Sequence, residues 1–227
     1  MNIKDELNRI KEDAYKAFSE RIIKTSYPIL GVRAKALRDM AKQIAKTEGL
    51  AAVGNIDDSS YEELMLQGLV IGYSKEKIEV KEEYLTQFLQ KCDCWSLVDS
   101  TSATFKLKKD DLSALWQVMN KWRQDSQLCL NYPYLERFIL VMEIDQYLDD
   151  QHIDEIIDYS RDLKERDYTI KMANAWLLAT AFVNYPDKVY GVIDDLDMET
   201  TKYFKQKVRD SLRISAEDKK KVTEYGC

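Results

Sequence analysis

Trp95 and Asp99 stand four residues apart in the stretch DCWSLVDS, residues 93–100. On a helix, residues at i and i+4 lie one above the other, so this spacing points an aromatic ring and a carboxylate the same way. Both groups favour a neighbouring positive charge, the acid by direct attraction and the indole through its π face. Arg137, in PYLERFIL, and Trp176, in NAWLLAT, add a cation and a second aromatic at intervals of 42 and 39 residues. Taken one by one these residues also have plainer readings. Trp95 suits a core ring, Asp99 a cap or an ion pair, and Arg137 a partner for acids near Glu136 or on another helix.

The elements that must position them read as helices throughout. The chain has 227 residues with only seven Gly and three Pro, and no stretch alternates with period two for long enough to make a sheet. Leu7, Ile10, Ala14, Phe18 and Ile22 place one amphipathic helix over residues 2–23, followed by a Pro-containing connection, Gly31, and a helix with Leu37, Met40, Ala41 and Ile44 inward. Ser60 to Glu63 has the capping-box pattern for a helix through Tyr73, and residues 76–90 form its partner. Asp93 is placed to cap the Trp95 helix. A helix carrying Leu112, Leu115, Trp116 and Met119 ends near Arg123, and Pro133 suits the first turn of an apolar helix through Leu148. Further helices are expected over residues 150–163, over 168–184 with Asp167 as cap and Pro186 as stop, over 203–212 and over 215–225.

Intervals near 40 residues match HEAT-like helical pairs, whose repeat is about 40 to 47 residues. Equivalent positions in stacked repeats share one face, so Trp95, Arg137 and Trp176 are expected to line one concave groove. The expected architecture is all-α: HEAT-like repeats stacked as an α-α superhelix, a solenoid, in a single domain over residues 1–227.

Composition narrows the function. A formal charge of −6 argues against indiscriminate nucleic-acid binding. The charge is uneven, however: Arg21, Lys24, Arg33, Lys35, Arg38, Lys42 and Lys46 outnumber the acids between residues 20 and 48, and residues 202–221 are also basic. Arg33 and Lys35 stand at a helix start, where cations oppose the dipole; they are either solvated there or meet an anion, as helix N-termini do. Cys92 and Cys94 flank Asp93 too closely for an ordinary bridge, Cys129 lies in a helical tract and Cys227 ends the chain. With no signal peptide after Met1 and no apolar run long enough for a bilayer, the expectation is a reducing cytoplasm and no membrane. His152 is the only His and sits beside acids, which leaves neither a catalytic His dyad nor a zinc site.

Five segments, taken in order, resemble the AlkD-type family of bacterial DNA alkylation repair proteins, alkylpurine DNA glycosylases built from HEAT-like repeats. They are YPILGVRAKALRDMAK, CWSLVDSTSA, YLERFILVMEI, YTIKMANAWLL and FKQKVRDSLRIS, and together they span nearly the whole chain. The resemblance implies that Trp95 and Trp176 flank a damaged nucleotide, that Asp99 is the catalytic acid and that Arg137 contacts a phosphate. It also implies nucleic-acid contacts at Tyr27, Arg33, Lys35, Arg38 and Lys171. It further implies no metal and no cofactor, duplex DNA carrying alkylated purines as partner, and a monomer that does not draw the base into a tight pocket.

Such chemistry suits a sparse site. A purine alkylated at a ring nitrogen is cationic and leaves as a neutral base, so its departure requires no general acid. The sugar acquires the positive charge, and a carboxylate aimed at it stabilises the transition state and orients water. Three positions depart from the family pattern: Ala179 replaces a second Arg, Lys35 a Pro, and Glu136 a basic residue. An alternative function is a non-catalytic HEAT-repeat module that binds nucleic acid or protein through the same groove.

Overall fold

Helix follows helix along residues 2–163 and 166–225, which are the residues described by the computed structural model, and those residues contain no strand. Cys227 lies outside them. The chain divides into two compact units, Met1–Phe138 and Ile139–Cys227.

The first unit holds α1 (Ile3–Ile10), α2 (Asp13–Ile22), α3 (Ala34–Thr47), a 3-10 helix (Leu50–Asn55), α4 (Tyr61–Tyr73), α5 (Ile78–Lys91), α6 (Trp95–Ser102), α7 (Lys109–Gln124) and α8 (Ser126–Asn131). α9 (Pro133–Gln146) begins in this unit and contains the point of division. α4 is the central helix. It packs against α3, α5 and α6, and every residue from Tyr61 to Gly72 is buried. Burial on all sides suits Leu64, Leu66, Leu69, Val70 and Ile71, but Glu62, Glu63 and Gln67 must find hydrogen-bond partners there. Gln67 donates to the carbonyls of Ile56 and Asp57, and Glu63 accepts from the hydroxyls of Ser59 and Ser60.

Glu62 has the most demanding role. Its carboxylate accepts the backbone N–H groups of Leu30, Gly31 and Val32 at 2.8, 2.7 and 3.1 Å. Gly31 holds a φ of +97°, and a Cβ there would lie 2.6 Å from the Glu12 carbonyl oxygen, so only glycine fits. The clamp fixes the segment that carries Tyr27 and Arg33. Hydrogen bonds to a charged group contribute about 1.5–3 kcal/mol each, so Glu62→Gln is expected to cost about 2 kcal/mol. The expected signs are a melting temperature lower by roughly 4–8 °C and faster amide hydrogen exchange at residues 30–32. Unchanged exchange there would contradict the clamp.

The second unit holds the rest of α9, α10 (Ile153–Arg161), α11 (Tyr168–Ala181), α12 (Pro186–Ile193), α13 (Met198–Asp210) and α14 (Ala216–Glu224). Its core gathers Ile153, Leu178, Phe182, Val189, Phe204 and Val208, with Phe182 meeting Tyr190 and Phe204 edge to face. Within each unit, alternate helices meet: α4 with α6 and α5 with α7 in the first, α10 with α12 and α11 with α13 in the second.

The all-α expectation holds, and several details differ. The single opening helix is two, α1 and α2, because the chain turns extended at Lys11 and the Glu12 N–H donates to the Gly31 carbonyl 19 positions on. Pro186 does not merely stop α11; it is the first residue of α12, a position where its missing N–H costs nothing. α8 and the 3-10 helix are too short to leave a periodic signal. Asp167 caps α11 as read from the sequence, and Ser215, read as the first residue of the last helix, is the N-cap of α14.

Candidate active site and nucleic-acid interface

α6 has eight residues, of which Ser96, Leu97, Val98, Thr101 and Ser102 are buried. That inward set leaves Trp95 and Asp99 on the outer side, as the i,i+4 spacing requires. Trp95 is 44% exposed, which removes the core reading of this ring. Asp93 does not cap the helix. The N-cap is Cys94, which offers no side-chain bond. Asp93 instead accepts from the Thr25 hydroxyl and from the N–H and hydroxyl of Ser26, at 2.6, 2.5 and 2.7 Å. Together with the Tyr27 hydroxyl, which donates to the Lys91 carbonyl, these bonds stitch the entry of α6 to the segment before α3, and the Tyr61 hydroxyl, which donates to Ser96, ties it to the start of α4. Burial, with Asp93 nearby, pushes the Tyr27 phenol above its usual pKa.

Arg137 comes to Asp99 from α9. Its Nε donates to Oδ1 at 2.9 Å and its Nη2 to Oδ2 at 2.8 Å, a two-point fork on the carboxylate. The arginine side chain is 8% exposed and the aspartate 21%. Asp99 therefore presents a carboxylate at the surface whose orientation is set from behind by a buried guanidinium. Of the plainer readings, the ion pair is real, and its partner lies on another helix. Arg137, for which the resemblance implies a phosphate contact, has its fork on Asp99. Its neighbour Glu136 is buried.

The remaining cations differ in how their charge is met. Arg33, the N-cap of α3, is bound by Glu12 through two bonds of 2.8 Å and lies over the Tyr15 ring at 5.1 Å. Its anion is thus supplied by the protein. Lys35 pairs with Asp39 one turn on, at 2.6 Å. Arg38 forms no ion pair among the described residues and lines a small cavity of about 50 Å³ that reaches Glu62 and Ser100. In the second unit Lys171 is held by Glu199 at 2.6 Å and Asp197 at 3.3 Å, and the Glu199 bond first, then Asp197, raises its pKa.

Trp176, also in the second unit, is half-buried on α11 and lines an open cleft of about 530 Å³ beside Ala179 and Thr180. Lys207 from α13 and Arg213 beyond it reach the same cleft, along with Asp145 and Asp210. Neither Lys207 nor Arg213 was singled out by the sequence reading. The only sign was the basic stretch over residues 202–221, which does not say which cations turn toward Trp176.

Cys92, Cys94 and Cys129 are buried free thiols, and burial pushes the Cys92 thiol well above its usual value. His152 is bound to Asp149 at 2.7 Å and meets the Tyr147 ring edge-on. Among the described residues no group of three or more His, Cys, Asp or Glu side chains could hold a metal ion, and no helix is long and apolar enough to cross a membrane. A family model described as DNA alkylation repair enzyme matches residues 3–202. Comparison with curated proteins and with solved structures gave no match.

Proposed function

Since the chain belongs to the DNA alkylation repair enzyme family, we propose that it hydrolyses the N-glycosidic bond of cationic alkylated purines in duplex DNA. The observation that carries this reading is the exposed Trp95 ring one turn from Asp99, whose carboxylate is oriented by Arg137. In the proposed step the C1′–N bond breaks and its electron pair neutralises the departing base. Positive charge grows on the sugar, where Asp99 stabilises it and orients a water. The water oxygen bonds to C1′ and yields its proton to Asp99 or to solvent. Trp95 and Trp176 favour the cation by about 0.5 to 2 kcal/mol each.

In this reading Arg137 is a positioning residue for Asp99, and a phosphate at Arg137 has to share the guanidinium with that carboxylate. Lys207 and Arg213 are the cations nearest to Trp176's cleft and stand in for the family arginine that Ala179 replaces. The meeting of alternate helices within each unit supports stacked HEAT-like pairs, proposed here as one solenoid domain acting as a cytoplasmic monomer without a cofactor.

The mechanism depends on a leaving group that is already cationic. Duplex DNA carrying 7-methylguanine or 3-methyladenine is therefore expected to lose the free base, and duplex DNA carrying the neutral O6-methylguanine is not. Equal release of the neutral base would overturn the role given to the leaving group's charge. A non-catalytic binding module is the second reading, favoured by the engagement of Arg33, Lys35 and Lys171 with the protein's own carboxylates. It predicts binding with no base release.

A further inference from the structure

A second charged site lies in the first unit, at the far end of the helix that carries Asp99. An open pocket of about 360 Å³ is lined by Lys75 from the α4–α5 connection, Lys81 from α5, and Lys106 and Lys108 from the α6–α7 connection. No carboxylate lines it, in a chain whose net charge is −6. Lys75, Lys106 and Lys108 are exposed and form no ion pair among the described residues. Acids elsewhere on this surface take up Lys35, Lys91 and Lys121, whereas these three lysines converge on one hollow that no acid lines.

Lys81 is what makes the hollow a built feature. Only 5% of it is exposed, and its ammonium donates to the carbonyls of Ser74 at 2.8 Å and Gly72 at 3.4 Å, with the Phe105 ring 5.2 Å away. Burial lowers its pKa, and the charges of Glu76 and Asp111 oppose that shift. Neither acid reaches ion-pair distance, and each already accepts a backbone N–H, of Leu50 and of Lys108 respectively. The floor is also tightly set: a Cβ on Gly72 would fall 1.7 Å from the Thr104 hydroxyl, so the end of α4 and the exit of α6 are locked together there. The two carbonyls hold the Lys81 ammonium at the pocket wall while Glu76 and Asp111 act on it only from beyond ion-pair distance, which leaves an anion in the hollow a place beside it.

We propose that this pocket binds a phosphate group of the DNA backbone, flanking the nucleotide that faces Asp99. The inference rests on the DNA reading above, and geometry supplies the link. Asp99 lies three residues from the end of α6, about 4.5 Å along the helix axis, and Thr104, two residues past that end, lines the pocket. A backbone phosphate near the lesion thus reaches lysines of the unit that positions the carboxylate. Lysines as mobile point charges suit a phosphate approached from several directions.

The test is binding of undamaged duplex DNA as a function of salt. It compares wild type, the triple variant Lys75→Gln, Lys106→Gln, Lys108→Gln, and a charge-matched control, Lys4→Gln, Lys46→Gln, Lys202→Gln, whose lysines are exposed and outside the pocket. Each phosphate neutralised contributes a slope of about −0.9 in log K against log salt. The triple variant is expected to lose at least one such contact and about tenfold in affinity at low salt, and the control less than twofold. A triple variant that binds as the control does, beside a wild type that binds DNA, would overturn the pocket and leave the functional reading standing. A wild type that binds no DNA would overturn both. If DNA binding is unchanged in the triple variant while inorganic phosphate still shifts the amide resonances of Gly72 and Thr104 in wild type, the pocket serves a free phosphate and the backbone assignment fails.

Discussion

Asp99→Asn is expected to slow release of a cationic alkylpurine by about 10²–10³-fold, the loss typical of removing one preorganised charge-stabilising group. The asparagine has nearly the same shape, so the change isolates charge. Binding of undamaged duplex DNA is expected to survive, because the proposed phosphate contacts lie on other residues. Stability is expected to fall, since the fork from Arg137, 8% exposed, then meets a neutral group in place of a carboxylate. A cost of about 2 kcal/mol corresponds to a melting temperature lower by roughly 4–8 °C. Folded, DNA-binding Asp99→Asn protein with undiminished release would remove Asp99 from the mechanism.

Arg137→Ala is expected to be the more damaging change to the fold. Breaking a buried pair by removing one partner costs about 3–5 kcal/mol; Asp99 retains 21% of its exposure and can be rescued in part by water, which places the expected loss near 3 kcal/mol. Release should also slow, because the carboxylate loses the fork that orients it. A double-mutant cycle with Asp99→Asn and Arg137→Ala separates the effects. If Arg137 acts through Asp99, its effect on the rate nearly disappears once Asp99 is Asn, and a coupling energy of about 1–3 kcal/mol appears in stability. Additive rate effects would instead assign Arg137 an independent contact with DNA.

Local signals in the chain were legible because they act over one helical turn. Ser60, Asp167 and Ser215 bond N–H groups three residues on, Pro133 sits at a helix start, and Trp95 with Asp99 emerges on the outer face of α6. What was hidden depends on partners far away in sequence. Asp93 has the type and position of a cap, yet its carboxylate is claimed by Thr25 and Ser26 67 or 68 positions earlier. The break at Lys11 has no Gly or Pro because Gly31 makes it from outside. The fork between Asp99 and Arg137 spans 38 positions, and periodicity specifies a helix face without specifying which face meets it. The lysine pocket joins two connections some 30 residues apart, each of which reads in isolation as an ordinary solvated stretch.

The central claim is that this chain cuts a glycosidic bond. Single-turnover reaction of the purified wild-type protein with duplex DNA bearing one 7-methylguanine, at low salt, tests it most directly, with free base and abasic site measured together. The expected result is free 7-methylguanine and an equal amount of abasic site, both absent without protein above the slow spontaneous loss. A folded protein that binds this duplex and leaves the base attached would contradict the account and assign the protein to binding alone.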